Sequence, residues 1–355
     1  MTDTDLDLDE VSDENTPIIY ELAEEFFGEY LNGIEGLTEI AVNRPDEVFL
    51  KVKGKWQQKK TPLSYDDCET FAAALADYNQ DSLSNIKLVL SATLPTGERV
   101  QVVLPPITRK GCISITIRKP SDVFISHDDF VAQGFYERIN TQETPKTRPE
   151  TQQLIDLYKS NRIAEFVTEC LRQGKTMVFC GGTGSGKTTF VNSLLEYIPH
   201  YLRIICIQDT PETKYRAHEN VVDLFYPSEG GEQSIITPAM LLRACFRMNP
   251  DRILMTEIRG GEAWDFLKGA SSGHEGNVTT LHEKNPKAAI SGIVERCAQN
   301  PECQNIPHNV LLRKALDNID VVLSINYLDE CDKRYASDIY FKELHRDSYY
   351  EALRG

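Results

Sequence analysis

A chain of 355 residues with 41% hydrophobic content is long enough for two domains that each bury a core, which excludes disorder as the overall state. Its 38 Lys and Arg against 54 Asp and Glu leave a net charge of −16. That balance argues against nucleic acid as a bulk partner, and no direct sequence-specific nucleic-acid binding is expected, because phosphate neutralisation needs clustered cations. The nine cysteines lack C-x-x-C spacing and read as reduced thiols, not as a disulfide framework or a zinc site. No apolar run approaches a bilayer span and the N-terminus is acidic where a secretory leader is basic, so the expected location is cytoplasmic.

Along the chain, Asp3, Asp5, Asp7, Asp9, Glu10, Asp13 and Glu14 predict a disordered acidic tail over 1–16, either solubilising or an interaction arm. Residues 17–130 read as an α+β domain. Ile18–Leu31 has the spacing of an amphipathic helix, and Val48, Leu50 and Val52 alternate with Phe49, Lys51 and Lys53 before Gly54, as in a strand entering a turn. A second helix is predicted over Tyr65–Tyr78, with Phe71, Leu75 and Tyr78 on one face. Segments 86–94 and 99–104 flank Pro95-Thr96-Gly97, a hairpin signal. Over 112–118, Ile113, Ile115 and Ile117 require the core side of a sheet, which places Ser114, Thr116 and Arg118 on the opposite face, where they are free to meet another domain. Between 131 and 160 the composition shifts to Gln, Thr, Glu, Lys and Pro, with Pro145 and Pro149 breaking any helix, and a linker is predicted. From 161 to 355, helix and strand patterns alternate as in a parallel α/β sheet.

Within that second domain, Gly181-Gly182-Thr183-Gly184-Ser185-Gly186-Lys187-Thr188 fits the phosphate-binding pattern G-x-x-x-x-G-K-[ST]. The apolar run 176–180 before it suits a buried strand, and 189–195 after it, beginning at Thr189, has the spacing of a helix. That context favours a phosphate loop over a glycine-rich structural turn. The glycines let backbone N–H groups converge on phosphate oxygens, Lys187 brings charge to the β- and γ-phosphates, and the Thr188 hydroxyl can ligate Mg²⁺. Two further apolar strands end in acids: 203–207 leads into Gln208-Asp209-Thr210-Pro211-Glu212, and 253–256 into Glu257. An acid so placed can order metal-bound water or take a proton from the attacking water. Then comes Ser272-Gly273-His274-Glu275-Gly276-Asn277-Val278-Thr279-Thr280-Leu281-His282, with two histidines eight apart.

In order and spacing these segments closely resemble the VirB11-type secretion ATPases, a branch of the superfamily that also holds type II secretion and type IV pilus motors. The segments around Gly97-Glu98-Arg99 and Ile117-Arg118-Lys119-Pro120 look like that branch too, so the resemblance covers nearly all of the chain after the tail. It implies a RecA-like domain with a parallel sheet, ATP as substrate with Mg²⁺, and a ring-shaped homohexamer. The ring would power type IV secretion or conjugation beside other components of that machine, peripheral to the inner membrane. By the same resemblance the loop from Gly181 to Thr189 holds the phosphates, Thr188 binds metal with support from Asp209 and Glu212, Glu257 positions water and His282 senses the γ-phosphate. Arg99 and Arg118 would close the site from the N-terminal domain, the alternative being a salt bridge on an exposed sheet face. His274 stays open between structure and sensing. Arg243, Arg247 and Arg259 are candidates for the nucleotide or a subunit boundary, and the long linker would let subunits exchange N-terminal domains. Three positions depart from the family pattern: Gln208 where Glu commonly stands, Thr256 in place of Gly, and Glu275 in place of Pro. The first leaves Asp209 and Glu212 as the acidic-box candidates for Mg²⁺ and slightly favours the alternative of a non-hydrolysing nucleotide switch, with a P-loop kinase behind it. The cargo, DNA or protein, is not indicated.

Overall fold

Alternation in the first third of the chain builds α1 (Ile18–Leu31), β1 (Leu37–Val42), β2 (Glu47–Val52), β3 (Lys55–Lys60), α2 (Tyr65–Tyr78), β4 (Val89–Thr93), β5 (Arg99–Val103) and β6 (Ser114–Arg118) in the computed structural model, which describes residues 17–120, 125–137, 139, 148–227 and 235–354. The six strands form one antiparallel sheet in the order β3-β2-β1-β6-β5-β4. Helices α1 and α2 cover one face, with Phe27 and Phe71 edge to face at 5.1 Å above Ile40, Leu50, Val102 and Ile115. A reciprocal capping box between Ser64 and Asp67 starts α2, satisfying orphan amides at the point where the chain must turn into the helix. Tyr78, the last residue of α2, is 43% exposed, so its apolar stripe runs through Cys68, Phe71, Ala72 and Leu75 and stops short of Tyr78.

The other face of this sheet is also buried. Phe49, Ala41, Thr116 and Gln101 lie in one cross-strand row, and all four are under 4% exposed. What covers the row is the second domain of the same chain, so the polar side of β6 is already occupied along most of its length. At one margin of the sheet, the outer strand β3 carries the exposed Lys55, Lys59 and Lys60.

Two helices follow, α3 (His127–Ala132) and α4 (Pro149–Lys159). The second falls inside the predicted linker, because Pro149 sits in the first turn, where a missing N–H breaks no helical bond. Leu154 ties α4 into the core beside Phe166 and Phe179. The acidic tail 1–16 and the linker stretch 140–147 lie outside the described residues. Then come α5 (Ile163–Arg172), β7 (Met177–Cys180), α6 (Lys187–Leu194), β8 (Ile204–Gln208), β9 (Val221–Phe225), α7 (Pro238–Arg247), β10 (Arg252–Met255), α8 (Glu262–Ser271), β11 (Val278–Leu281), α9 (Pro286–Cys297), α10 (His308–Asn318), β12 (Val321–Leu328), β13 (Lys333–Phe341) and α11 (Lys342–Leu353).

These strands form a second sheet in the order β13-β12-β7-β11-β10-β8-β9. All its pairs are parallel except β12 with β13, a hairpin that closes one margin. Strands β7, β8 and β11 are buried throughout, as central parallel strands covered by helices on both faces should be. Among the described residues, no helix is long and apolar enough to cross a membrane.

The two domains meet through polar groups. Arg203, fully buried, donates Nε to the Met248 carbonyl at 3.0 Å, Nη1 to Asn43 Oδ1 at 2.7 Å and Asn220 Oδ1 at 2.6 Å, and Nη2 to Thr116 Oγ1 at 3.3 Å. Burial pushes its pKa down to about 10. Asp251 accepts from Lys51 Nζ, Trp56 Nε1 and the Arg203 amide at 3.2, 2.8 and 2.8 Å, Arg109 pairs with Asp223 at 2.6 Å, and the Phe225 amide donates to the Ile107 carbonyl at 2.6 Å. Arg203 and Asp251 immediately precede β8 and β10, so the N-terminal domain is held at the amino ends of these strands and along β9.

Candidate nucleotide-binding site

Four neighbouring parallel strands, β7, β11, β10 and β8, deliver the phosphate loop, His282, Glu257 and Asp209 from their carboxyl ends, the side where open α/β sheets bind ligands. The loop leaves β7 at Gly181. A Cβ added there would lie 2.2 Å from the Ile325 carbonyl of β12, so only glycine lets the loop pack on that strand. Gly184 and Gly186 have φ of +75° and +87°, a region that side chains disfavour. Gly186 opens α6 without a side-chain cap, which leaves the first amides of the helix unclaimed by side chains and directed at the cleft.

The cleft has a volume of about 620 Å³ and is lined by Gly184, Gly186, Lys187, Thr188, Thr189, Asp209, Thr210, Glu212, Thr256, Glu257, Arg259, Thr280, His282 and Arg334. A groove of about 960 Å³ between α4 and α5 is larger, but it gathers no converging loop amides and lies away from these strand ends. In the cleft, Lys187 Nζ donates to the Gly181 and Gly182 carbonyls at 2.8 and 3.0 Å and stands 3.4 Å from His282 Nδ1. Desolvation lowers the Lys187 pKa, and the Glu257 charge opposes that shift. The other nitrogen of the same imidazole, Nε2, is 3.2 Å from Glu257 Oε1. Arg259 then joins two acids: Nη2 is 2.7 Å from Glu257 Oε2 and Nη1 is 3.1 Å from Asp209 Oδ2. The hydrogen bond to Glu257 raises the Arg259 pKa above its ordinary value. A chain of contacts therefore runs from Lys187 through His282 and Glu257 to Arg259 and Asp209.

Thr188, Asp209 and Glu212 bring only oxygen donors to this cleft, which fits a hard divalent cation such as Mg²⁺. Among the described residues no cluster of three or more His, Cys, Asp or Glu side chains could hold a metal, so such a cation would draw much of its shell from phosphate and water.

Of the loop positions from Gly181 to Thr189, the structure brings Gly184, Gly186, Lys187, Thr188 and Thr189 into the cleft with Asp209, Glu212, Glu257 and His282, whereas Gly181, Gly182, Thr183 and Ser185 do not line it. Nor do Arg99 and Arg118. They face each other across β5 and β6, line no part of the cleft, and Arg118 stands 4.0 Å from Glu39 with its own side chain 67% exposed. His274 stacks on Phe246 at 5.2 Å, away from the lining residues, and burial lowers its pKa against an opposing hydrogen bond to the Pro250 carbonyl. Of the three undecided arginines, Arg259 enters the cleft, Arg243 pairs with Asp265 at 3.6 Å and Arg247 donates to Ser91 Oγ at 2.6 Å.

Gln208 faces the sheet interior and not the metal side. Its Nε2 donates to Asp223 Oδ1 at 2.7 Å, and its Oε1 accepts from the Thr213 amide and hydroxyl at 3.2 and 3.0 Å. Opposite a carboxylate, an amide supplies the donor that a second carboxylate would lack. Sequence reasoning missed Arg334, which β13 brings over the loop. No motif marks it, and only the register of the β12–β13 hairpin could have found it.

The Type II/IV secretion system protein family matches residues 147–319. The type IV secretion system protein VirB11 of Brucella suis is 37% identical over 309 residues, 86% of this chain and 85% of that protein. PtlH of Bordetella pertussis, another type IV secretion system protein, is 33% identical over 313 residues, 87% of this chain and 91% of that one. A crystal structure of the Brucella suis VirB11 ATPase in complex with sulphate aligns with a TM-score of 0.85 at 33% identity, covering 93% of this chain and 96% of that chain.

Proposed function

The chain belongs to the VirB11 family of type IV secretion ATPases, and from that premise we propose that it hydrolyses ATP to ADP and phosphate in the cleft at Lys187. The observation that carries this reading is the convergence, within one set of contacts, of a phosphate-loop lysine, a histidine and a strand-terminal glutamate. Lys187 is held by two loop carbonyls and stands against His282 Nδ1, and a bound nucleotide would draw its ammonium to the β- and γ-phosphates. The amides opening α6 receive the same phosphates. Mg²⁺, bound with the nucleotide, would neutralise phosphate charge, and Thr188, with Asp209 and Glu212 directly or through water, would hold it.

Glu257 is the base that orients the attacking water and receives its proton. In the arrangement described above its Oε2 is engaged by Arg259 and its Oε1 by His282. A γ-phosphate offers Arg259 a competing anion, and the exchange of partners releases Glu257 toward water. His282, between Lys187 and Glu257, registers the change. Hydrolysis reverses the exchange, because the anion that drew Arg259 away leaves as phosphate.

We further propose that the chain works as a ring of copies at the cytoplasmic face of the inner membrane, driving type IV secretion. The polar joint at Arg203 and Asp251 fixes the N-terminal domain at the amino ends of β8 and β10, away from its own phosphate loop. Arg99 and Arg118 would then serve the cleft of a neighbouring copy. Steady-state phosphate release by the purified chain tests the reaction. The expected result is turnover that needs Mg²⁺ and no acceptor and is lost in Glu257→Gln. Nucleotide binding without any phosphate release would favour the switch reading instead.

A further inference from the structure

We propose that Arg334 is a nucleotide-binding residue whose guanidinium engages the diphosphate shared by ATP and ADP, from the side of the phosphate loop opposite Glu257. The assignment rests on the reading of the cleft as the ATP site. Strand order gives the direction of approach. Asp209, Glu257 and His282 arrive from β8, β10 and β11 on one side of β7, whereas Arg334 arrives from β13, beyond β12 on the other side.

Position and support make the side chain available for this. A Cβ built on Gly186 would lie 2.6 Å from Arg334 Cδ and 2.9 Å from Nε, so Arg334 lies directly over the residue that opens α6. Its guanidinium rests on the Tyr327 ring, 5.0 Å from the centroid, and the Tyr327 hydroxyl donates to Asp332 Oδ1 at 2.9 Å. The hairpin thus orients the planar group before any ligand arrives.

Charge pairing points the same way. Arg259 already holds the carboxylates of Asp209 and Glu257, and Lys187 is held by loop carbonyls. Among the described residues Arg334 makes no ion pair and keeps only its aromatic contact. A fork of N–H donors without a carboxylate, beside the amides of a phosphate loop, matches a phosphate oxyanion.

The α- and β-phosphates are present before and after hydrolysis, so a contact to them acts chiefly by strengthening the binding of substrate and product alike, with at most a small share in stabilising the charge that the leaving β-phosphate gains. The test is calorimetric titration of ADP and of a non-hydrolysable ATP analogue into the full chain, its Arg334→Ala and its Arg334→Lys, with phosphate release measured at saturating ATP. Loss of a charged hydrogen bond predicts that Arg334→Ala binds both nucleotides about tenfold or more weakly. Its kcat should stay within about twofold of the parent, with Arg334→Lys recovering part of the affinity. Arg334 is exposed, so unfolding without nucleotide should be unchanged and a folding defect is separable. If the parent binds ADP and Arg334→Ala binds it as tightly, this assignment alone is overturned. A fall in kcat with affinity retained also overturns it, since the contact would then be to the transition state. Failure of the parent to bind ADP removes the reading of the cleft and the assignment with it.

Discussion

Replacing Gln208 by glutamate, the residue that resembling ATPases commonly carry there, places a carboxylate 2.7 Å from Asp223 Oδ1 at a position that is fully buried, beside a partner that is 6% exposed. The new acid can keep the bond only by staying protonated and donating. Holding that proton at pH 7.5 against an ordinary pKa of about 4.3 costs about 4 kcal/mol. Arg109, whose Nε lies 2.7 Å from the other Asp223 oxygen, absorbs part of the excess negative charge, leaving a net loss of about 2–3 kcal/mol. The sign of the pH dependence follows. The new group's folded pKa is raised above its unfolded value, so the loss is absent below about pH 4 and grows as pH rises toward the folded pKa. For the second domain, with roughly 200 residues, unfolding should occur about 4–12 °C lower at pH 7.5 and lose about half to two-thirds of that difference at pH 5. Scanning calorimetry of the parent and Gln208→Glu at both pH values reads this directly. In an Asp223→Asn background the same substitution should cost less than about 1 kcal/mol. Parent-like stability at pH 7.5, or an equal loss at both pH values, would refute the carboxylate conflict as the reason for an amide at 208.

Lys187→Ala should abolish both tight nucleotide binding and phosphate release, whereas Glu257→Gln should bind ATP normally and turn over at least about a hundredfold more slowly; equal turnover in Glu257→Gln and parent would remove Glu257 as the base. Arg118→Ala should keep ADP affinity within a few fold and lose at least about tenfold in kcat, with Arg118→Lys recovering little for want of a bidentate fork. If Arg118 serves a neighbouring copy, mixing Arg118→Ala with Glu257→Gln should restore part of the turnover that neither has alone, and a mixture as inactive as its components would exclude that arrangement. Arg203→Met should cost about 3–5 kcal/mol, since it leaves Asn43, Asn220 and the Met248 carbonyl without their shared buried donor. Two calorimetric transitions where the parent shows one would mark the uncoupling of the domains, and an unchanged single transition would show that Arg203 is not what joins them.

Local pattern carried the elements that local physics decides. Helices α1 and α2 fall on the spans read from periodicity, and the phosphate loop, Glu257 and His282 were legible because each sits at the end of an apolar strand, where spacing along the chain is also position in space. Readings that depended on distant chain segments were less secure. Alternation puts Thr116 on a sheet face free to meet another domain, as it does, but nothing local announces that the group it meets is Arg203, 87 residues away in sequence. Gln208 reads from the sequence only as a departure that favours a non-hydrolysing switch, because its partners Asp223 and Thr213 are set by the pairing of β8 with β9 and by the loop between them. Composition alone makes Pro149 a breaker, yet a proline in the first turn is compatible with a helix. Arg334 belongs to a hairpin whose register, not its motif content, brings it over Gly186.

In the proposed ring, the lysines of β3 would bear on how copies of this chain join. An outer strand offers unpaired amides and carbonyls to any incoming strand, and Lys55, Lys59 and Lys60 place three ammonium groups along that margin, a charge arrangement that discourages edge-to-edge pairing. Subunits kept from fusing their sheets along this strand would meet there through side chains, in contacts that can open and re-form without unravelling a backbone ladder. If the proposed ring changes its inter-subunit contacts at each turnover, it gains from that separation: its moving joints would be side-chain contacts, and its sheets would stay intact through the cycle.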